Sequence, residues 1–120
     1  MKIKSFTDLI AWQKGHELVL LIYQITAQFP KRETYSLVDQ IRRAVVSITS
    51  NIAEGFSRQS KKEKAQFYYT ALGSLTELQN QLLIAKDVNY LDKKKFHQIA
   101  QQTAEVSKLI NGLIRSIKTP

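Results

Sequence analysis

Two carboxylates, Glu54 and Glu77, stand in helix-like stretches beside hydroxyls and amides. Gln40, Ser47 and Asn51 precede the first, and Ser74 precedes the second. Such groups can do three things. They can move a proton as general acid or base. They can hold a polar ligand. They can fix the register of packed helices. The stretch 40–55, QIRRAVVSITSNIAEG, narrows the choice by its spacing. At about 100° per residue, Gln40, Ser47, Asn51 and Glu54 fall on one narrow polar line. Leu37, Ile41, Ala44, Val45, Ile48 and Ile52 form a broad apolar face beside it. A buried carboxylate needs a partner or stays protonated, and Arg43, on the flank of the line, is the candidate partner. Catalysis would also need a positioned nucleophile or base, and none accompanies Glu54 or Glu77. A register or subunit-contact role therefore stands ahead of a ligand site, and a ligand site ahead of catalysis.

Other chemistry finds less support. The histidines, His16 and His97, have no carboxylate or histidine at a spacing of three or four. No Glu-x-x-His occurs, so a di-iron bundle is not expected. No arginine precedes either histidine in the pattern that helical-bundle nucleases use. There is no glycine-rich phosphate loop. With no cysteine, thiolate metal sites and disulfides are out of reach. No catalytic residue, metal or cofactor is expected.

The net charge of +8 is the stronger signal, and it calls for an anionic partner. Lys61, Lys62 and Lys64 fall in the first turns of one predicted helix, and Lys93, Lys94 and Lys95 in the first turn of the next. Lysines there oppose the helix dipole by a few tenths to ~1 kcal/mol each, so local stability does not account for them. Arg58 joins the first cluster with Lys2, Lys4, Arg115 and Lys118. Lys31, Arg32 and Lys86 join the second. One reading is solvated charge that keeps a bundle soluble. The other is contact with RNA or DNA, electrostatic and weakly sequence-specific, since neither a reading helix nor a stacking platform is recognisable.

Apolar periodicity supplies the elements that carry these residues. It predicts helices over about 8–29, 35–55, 61–89 and 92–117. Trp12, His16, Val19, Tyr23 and Thr26 mark a core edge on the first, with Ser5 or Thr7 as its cap. Gly55 is placed to end the second as a left-handed residue. Ser60 and Glu63 form a capping box for the third, whose core line is Phe67, Ala71, Ser74, Leu78, Leu82 and Ala85. Asp92 caps the fourth, where Phe96, Ile99, Thr103, Val106, Ile110, Leu113 and Ile117 make a heptad seam. Four such helices with short loops predict an all-α, antiparallel up-down-up-down bundle forming one domain over 1–120. Ser47 and Ser74 should then meet across neighbouring helices. No apolar run reaches the ~20 residues of a membrane span. That, with the absence of cysteine, points to the cytoplasm.

Several of these residues form a recognisable order. Asp8-Leu9, Trp12-Gln13, Phe29-Pro30, Glu33, Leu37 and Gln40-Ile41-Arg42-Arg43-Ala44 come first. Ser47-Ile48, Asn51-Ile52-Ala53-Glu54-Gly55, Ala71, Gly73-Ser74 and Glu77-Leu78 follow. This order resembles the bacterial 23S rRNA-intervening-sequence proteins over nearly the whole chain. The resemblance implies a four-helix bundle, assembly as a homopentameric ring, and a non-enzymatic protein associated with nucleic acid. The distant relatives it implies, accessory determinants of diversity-generating retroelements, bind nucleic acid and a reverse transcriptase through basic surfaces. A scaffold that binds such a protein partner is therefore the alternative expectation.

Overall fold

The computed structural model describes residues 2–118, and the regular structure among them is helical. Four long helices follow one another: α1 (Ile10–Thr26), α2 (Leu37–Ser57), α3 (Lys61–Asp87) and α4 (Lys93–Lys118). Short 3-10 turns, Phe6–Asp8 and Lys31–Glu33, lead into α1 and α2. α1 packs on α2 and α4, α2 on α3, and α3 on α4, around one core. Leu18, Ile22, Ile41, Ile48, Leu78, Ile99 and Ile110 are among its fully buried side chains. Each such residue contributes roughly 1.5–3 kcal/mol of burial.

The helix ends differ from the expected ones for local reasons. Ser5 caps the first 3-10 turn, and Asp8 returns a bond to the Ser5 N–H at 3.1 Å. Leu9 is extended, so α1 starts at Ile10 rather than near residue 8. It stops at Thr26 rather than 29. There the hydroxyl donates back to the Ile22 carbonyl at 2.7 Å, and tight turns carry the chain to Pro30. α2 begins at Leu37 rather than 35, and Gly55 does not end it: the helix continues to Ser57 and no glycine has positive φ. The left-handed residue is Asn89 instead, at φ 67°. Its N–H reaches the Lys86 carbonyl at 3.0 Å while the Tyr90 N–H reaches Ala85 at 2.9 Å. This paired closure ends α3 at Asp87, two residues before the expected end. Asn is tolerated there because its short polar side chain suits that conformation. Ser60 does accept the Glu63 N–H, at 3.1 Å, but Glu63 does not return the bond. Asp92 accepts the Lys95 N–H at 2.7 Å and caps α4.

Three faces also turn. On α1 the buried edge is Ala11, Gly15, Leu18, Ile22 and Thr26, one step from the expected aromatic edge. Small residues face inward because α1 lies close to α2: a Cβ on Gly15 would sit 3.0 Å from Thr49 Cγ2. Trp12 lies at the rim, stacked on His16 at 4.7 Å and met edge-on by Phe6 at 5.3 Å. On α3, Tyr68, Leu75 and Gln81 are buried, while Phe67 and Ser74 are only half-buried. On α4 the seam passes through Ile99, Thr103, Val106 and Ile110 but then takes Ile114 in place of Leu113 and Ile117. A straight helix drifts about 20° per heptad, enough to move the last contact by one residue.

Candidate functional site

The polar line on α2 meets α3 at one point. Ser47 Oγ and Ser74 Oγ lie 2.8 Å apart, and Asn51 Nδ2 donates to both Ser47 Oγ at 3.1 Å and the Ser47 carbonyl at 2.8 Å. These three side chains are half-buried. The charged and amide members are not part of the cluster. Gln40, Arg43, Glu54 and Glu77 are exposed. Arg43 does not neutralise Glu54; it pairs with Asp39 at 3.0 Å, and Glu54 pairs with Arg58 at 3.0 Å. The reason is reach: Arg43 and Glu54 are three turns, ~16 Å, apart along one helix, while each chosen partner is one turn away. The line is thus a short hydroxyl–amide bridge between helices with surface ion pairs at its ends.

Two buried threonines tie other helix pairs. Thr26 accepts from Arg42 Nε at 2.9 Å, and Arg42 also donates to the Tyr23 carbonyl at 3.3 Å and lies 4.5 Å over the Tyr23 ring. Thr103 accepts from Gln79 Nε2 at 3.1 Å, joining α3 to α4. Sequence reasoning singled out Arg43 and passed over Arg42. Its cue was available only in hindsight: Arg42 stands one residue along, on the α1 side of α2.

At one end of the molecule the two connections are clipped together. Tyr90 donates its hydroxyl to Glu33 Oε2 at 2.9 Å across 57 positions of sequence. The Ser36 hydroxyl donates to Glu33 Oε1 at 2.7 Å and the Leu37 N–H does so at 3.4 Å. The Ser36 hydroxyl, then Tyr90, hold the Glu33 carboxyl below the usual carboxylate range. A carboxyl lowered in the folded state adds stability above its unfolded pKa, and that stability is lost as pH falls through the folded pKa. Thermal melts from pH 6 down to about 3 should therefore show Glu33→Gln losing less stability on acidification than the parent. Equal losses would remove Glu33 from the acid response. Phe29 packs on Tyr90 at 5.6 Å and completes the clip.

The cations divide into engaged and free. Lys64 is explained by local structure after all: its ammonium donates to the Phe56 carbonyl at 2.7 Å and to Gly55 at 3.4 Å, capping the end of α2. Arg58 pairs with Glu54 and covers the Phe67 ring at 4.8 Å. Lys118 donates to the Tyr69 hydroxyl at 2.7 Å. By contrast Lys61, Lys62, Lys93, Lys94 and Lys95 are exposed, and their ammonium groups have no hydrogen-bond or ion-pair partner among the described residues. Among those residues no group of three or more His, Cys, Asp or Glu is placed to hold a metal, and no helix is long and apolar enough to cross a membrane.

The model of the 23S rRNA-intervening sequence protein family matches residues 7–112. The chain belongs to this family. A search of the curated proteins finds no match. Among solved structures, it is similar to a protein of unknown function from the S23 ribosomal protein family of Bacteroides thetaiotaomicron. The two share 22% identity over 88% of this chain and 98% of that one, with a TM-score of 0.78. That likeness is one of fold. In this family member, the residues quoted for the resemblance have structural work. Phe29 and Glu33 build the clip, Arg42 ties α1 to α2, Ser47 meets Ser74, and Gly55 admits Tyr68.

Proposed function

We propose that this 23S rRNA-intervening sequence protein is a non-catalytic, oligomeric module that associates with nucleic acid through its basic ends. The observation that carries the reading is the set of unpaired lysines, Lys61 and Lys62 at the start of α3 and Lys93, Lys94 and Lys95 at the start of α4, in a chain of net charge +8. Residue pairs support an antiparallel up-down-up-down order that sends these starts to opposite ends. Going along α2 from Ser47 to Gly55 moves the α3 contact back from Ser74 to Tyr68. Exposure of Glu54 and Glu77, with Glu54 ion-paired, supports a role without acid–base chemistry. Exposed apolar side chains on α1 (Ile10, Leu20) and α3 (Leu83, Ile84) support assembly with further copies, for which the family resemblance suggests a homopentamer. A cytoplasmic setting accords with the cysteine-free chain.

Nucleic-acid binding should weaken steeply with salt. Three contacts to a single strand give a log–log slope of about −2, so passing from 50 to 200 mM salt costs roughly tenfold or more in affinity. Filter binding or fluorescence anisotropy measures this, and a flat response, or no binding at low salt, overturns the reading. Light scattering in the same buffers reads the assembly, where the 13.8 kDa protomer mass alone would contradict the oligomer. The second reading is a scaffold for a basic-surface-seeking protein such as a reverse transcriptase. Replacing the free lysines with glutamate separates the two by which partner is lost.

A further inference from the structure

The two basic ends are not equivalent. At the end holding the start of α3, three aromatic rings already have a cation on them. Lys64 lies 5.3 Å over Phe56, Arg58 4.8 Å over Phe67, and Lys118 5.3 Å over Tyr69. All three cations are also hydrogen-bonded into the fold, Lys64 to α2 carbonyls, Arg58 to the Glu54 carboxylate and Lys118 to the Tyr69 hydroxyl. That end offers Lys61 and Lys62 as free charge, with those three rings occupied.

The end holding the start of α4 differs. Tyr35, in the connection between α1 and α2, is 95% exposed. It has no hydrogen bond, ring contact or cation contact among the described residues. An aromatic ring left wholly in water contributes nothing to the core and carries an apolar face outward. Its position is not arbitrary. The Glu33–Tyr90 hydrogen bond of 2.9 Å holds the connection that carries Tyr35 against the connection that leads into Lys93, Lys94 and Lys95. Lys31, exposed, lies four residues before Tyr35. One free ring therefore stands at the same end of the molecule as four cations whose ammonium groups have no ion-pair or hydrogen-bond partner among the described residues.

An exposed ring on the same basic end as a cluster of free ammonium groups is the combination that recognises unpaired nucleotides. A base stacks on the ring and the following phosphates meet the cations. Duplex offers phosphates but keeps its bases stacked inside. We propose that the end formed by the Lys31–Ser36 connection and the start of α4 is a single-strand binding surface, with Tyr35 as its stacking residue. This rests on the nucleic-acid reading above and adds to it a strandedness and an end.

The test uses the full chain, a fluorescently labelled 20-nucleotide oligouridylate, and a duplex of equal length, read by anisotropy. Tyr35→Ala removes a side chain that supports nothing, so folding is not at issue, and Tyr35→Trp restores a ring. Expected is a loss of about 5- to 150-fold in single-strand affinity for Tyr35→Ala. That loss should persist at high salt, Tyr35→Trp should bind like the parent, and duplex binding should be unchanged. Lys93→Gln/Lys94→Gln/Lys95→Gln should instead flatten the single-strand salt slope by about 2. If the parent binds the oligomer and Tyr35→Ala binds it equally, the stacking surface is overturned while nucleic-acid association stands. Equal Tyr35 dependence on duplex overturns the single-strand assignment. If the parent binds neither probe at low salt, the nucleic-acid reading itself falls, and this inference with it.

Discussion

Gly55→Leu is expected to destabilise the fold by about 3 kcal/mol or more, at the upper end of what overpacking costs. The reason is a contact between helices, not a backbone angle. A Cβ at position 55 would lie 2.6 Å from Tyr68 Cε1, 2.9 Å from Cδ1 and 3.1 Å from Phe67 Cβ. Tyr68 is 2% exposed and cannot swing into solvent without opening the core. Burial also pushes its phenol pKa up. Gly55→Ala has two opposed effects. Alanine in a helix interior is better than glycine by ~1 kcal/mol, and the clash with the buried Tyr68 ring outweighs that gain. Were Gly55 a left-handed helix end, the remedy would be another residue that tolerates positive φ, such as Asn. Here it is room: Tyr68→Leu should recover part of the loss in Gly55→Ala, with a coupling energy of about 0.5–3 kcal/mol in a double-mutant cycle. Urea denaturation of the four proteins reads it. A Gly55→Leu variant within ~0.5 kcal/mol of the parent, or additive single changes, would refute the close-approach account.

The second large effect concerns what holds α2 on α3. Leu78→Ala should cost about 2–5 kcal/mol, because a side chain with no solvent exposure leaves a cavity when truncated. The adjacent Ser47–Ser74 bond predicts a smaller and differently shaped response. Ser74→Ala leaves Ser47 half-buried with Asn51 as its remaining side-chain partner, and Ser47→Ala leaves Ser74 half-buried without this bond, each at about 0.5–1.5 kcal/mol. Changing both should cost less than the sum, since no orphan is left. A Leu78→Ala cost below that of Ser74→Ala would mean the polar bridge, not the apolar face, carries the pair. The expected order says the bridge selects register, while burial supplies the energy.

These cases show why some of the site was legible and some was not. The Ser47–Ser74 meeting followed from spacing, because the two residues lie about three turns either side of a short connection. Lys64 was misread as free charge because its partners, the Gly55 and Phe56 carbonyls, are defined only by where α2 ends. Arg43 was assigned to Glu54 because both flank one line, and the line hid the three turns between them. Glu33–Tyr90 left no trace in local pattern, since 57 positions separate the two.

By itself the sequence determined the number of helices, the family, and the caps at Ser60 and Asp92. It also determined the broad inward face of α2 and the excess of positive charge. Those properties are local or additive: a repeat of three and four marks a face, a hydroxyl before a helix accepts its free N–H groups, and charges sum. Tertiary structure alone decided which of two adjoining rows on α1 turns inward, why Gly55 must be glycine, and which cations remain free. It also decided that Tyr35 stands bare at the same end as the second lysine cluster. Those depend on how closely two helices approach and on partners far away in the chain, quantities that no periodicity along one helix contains.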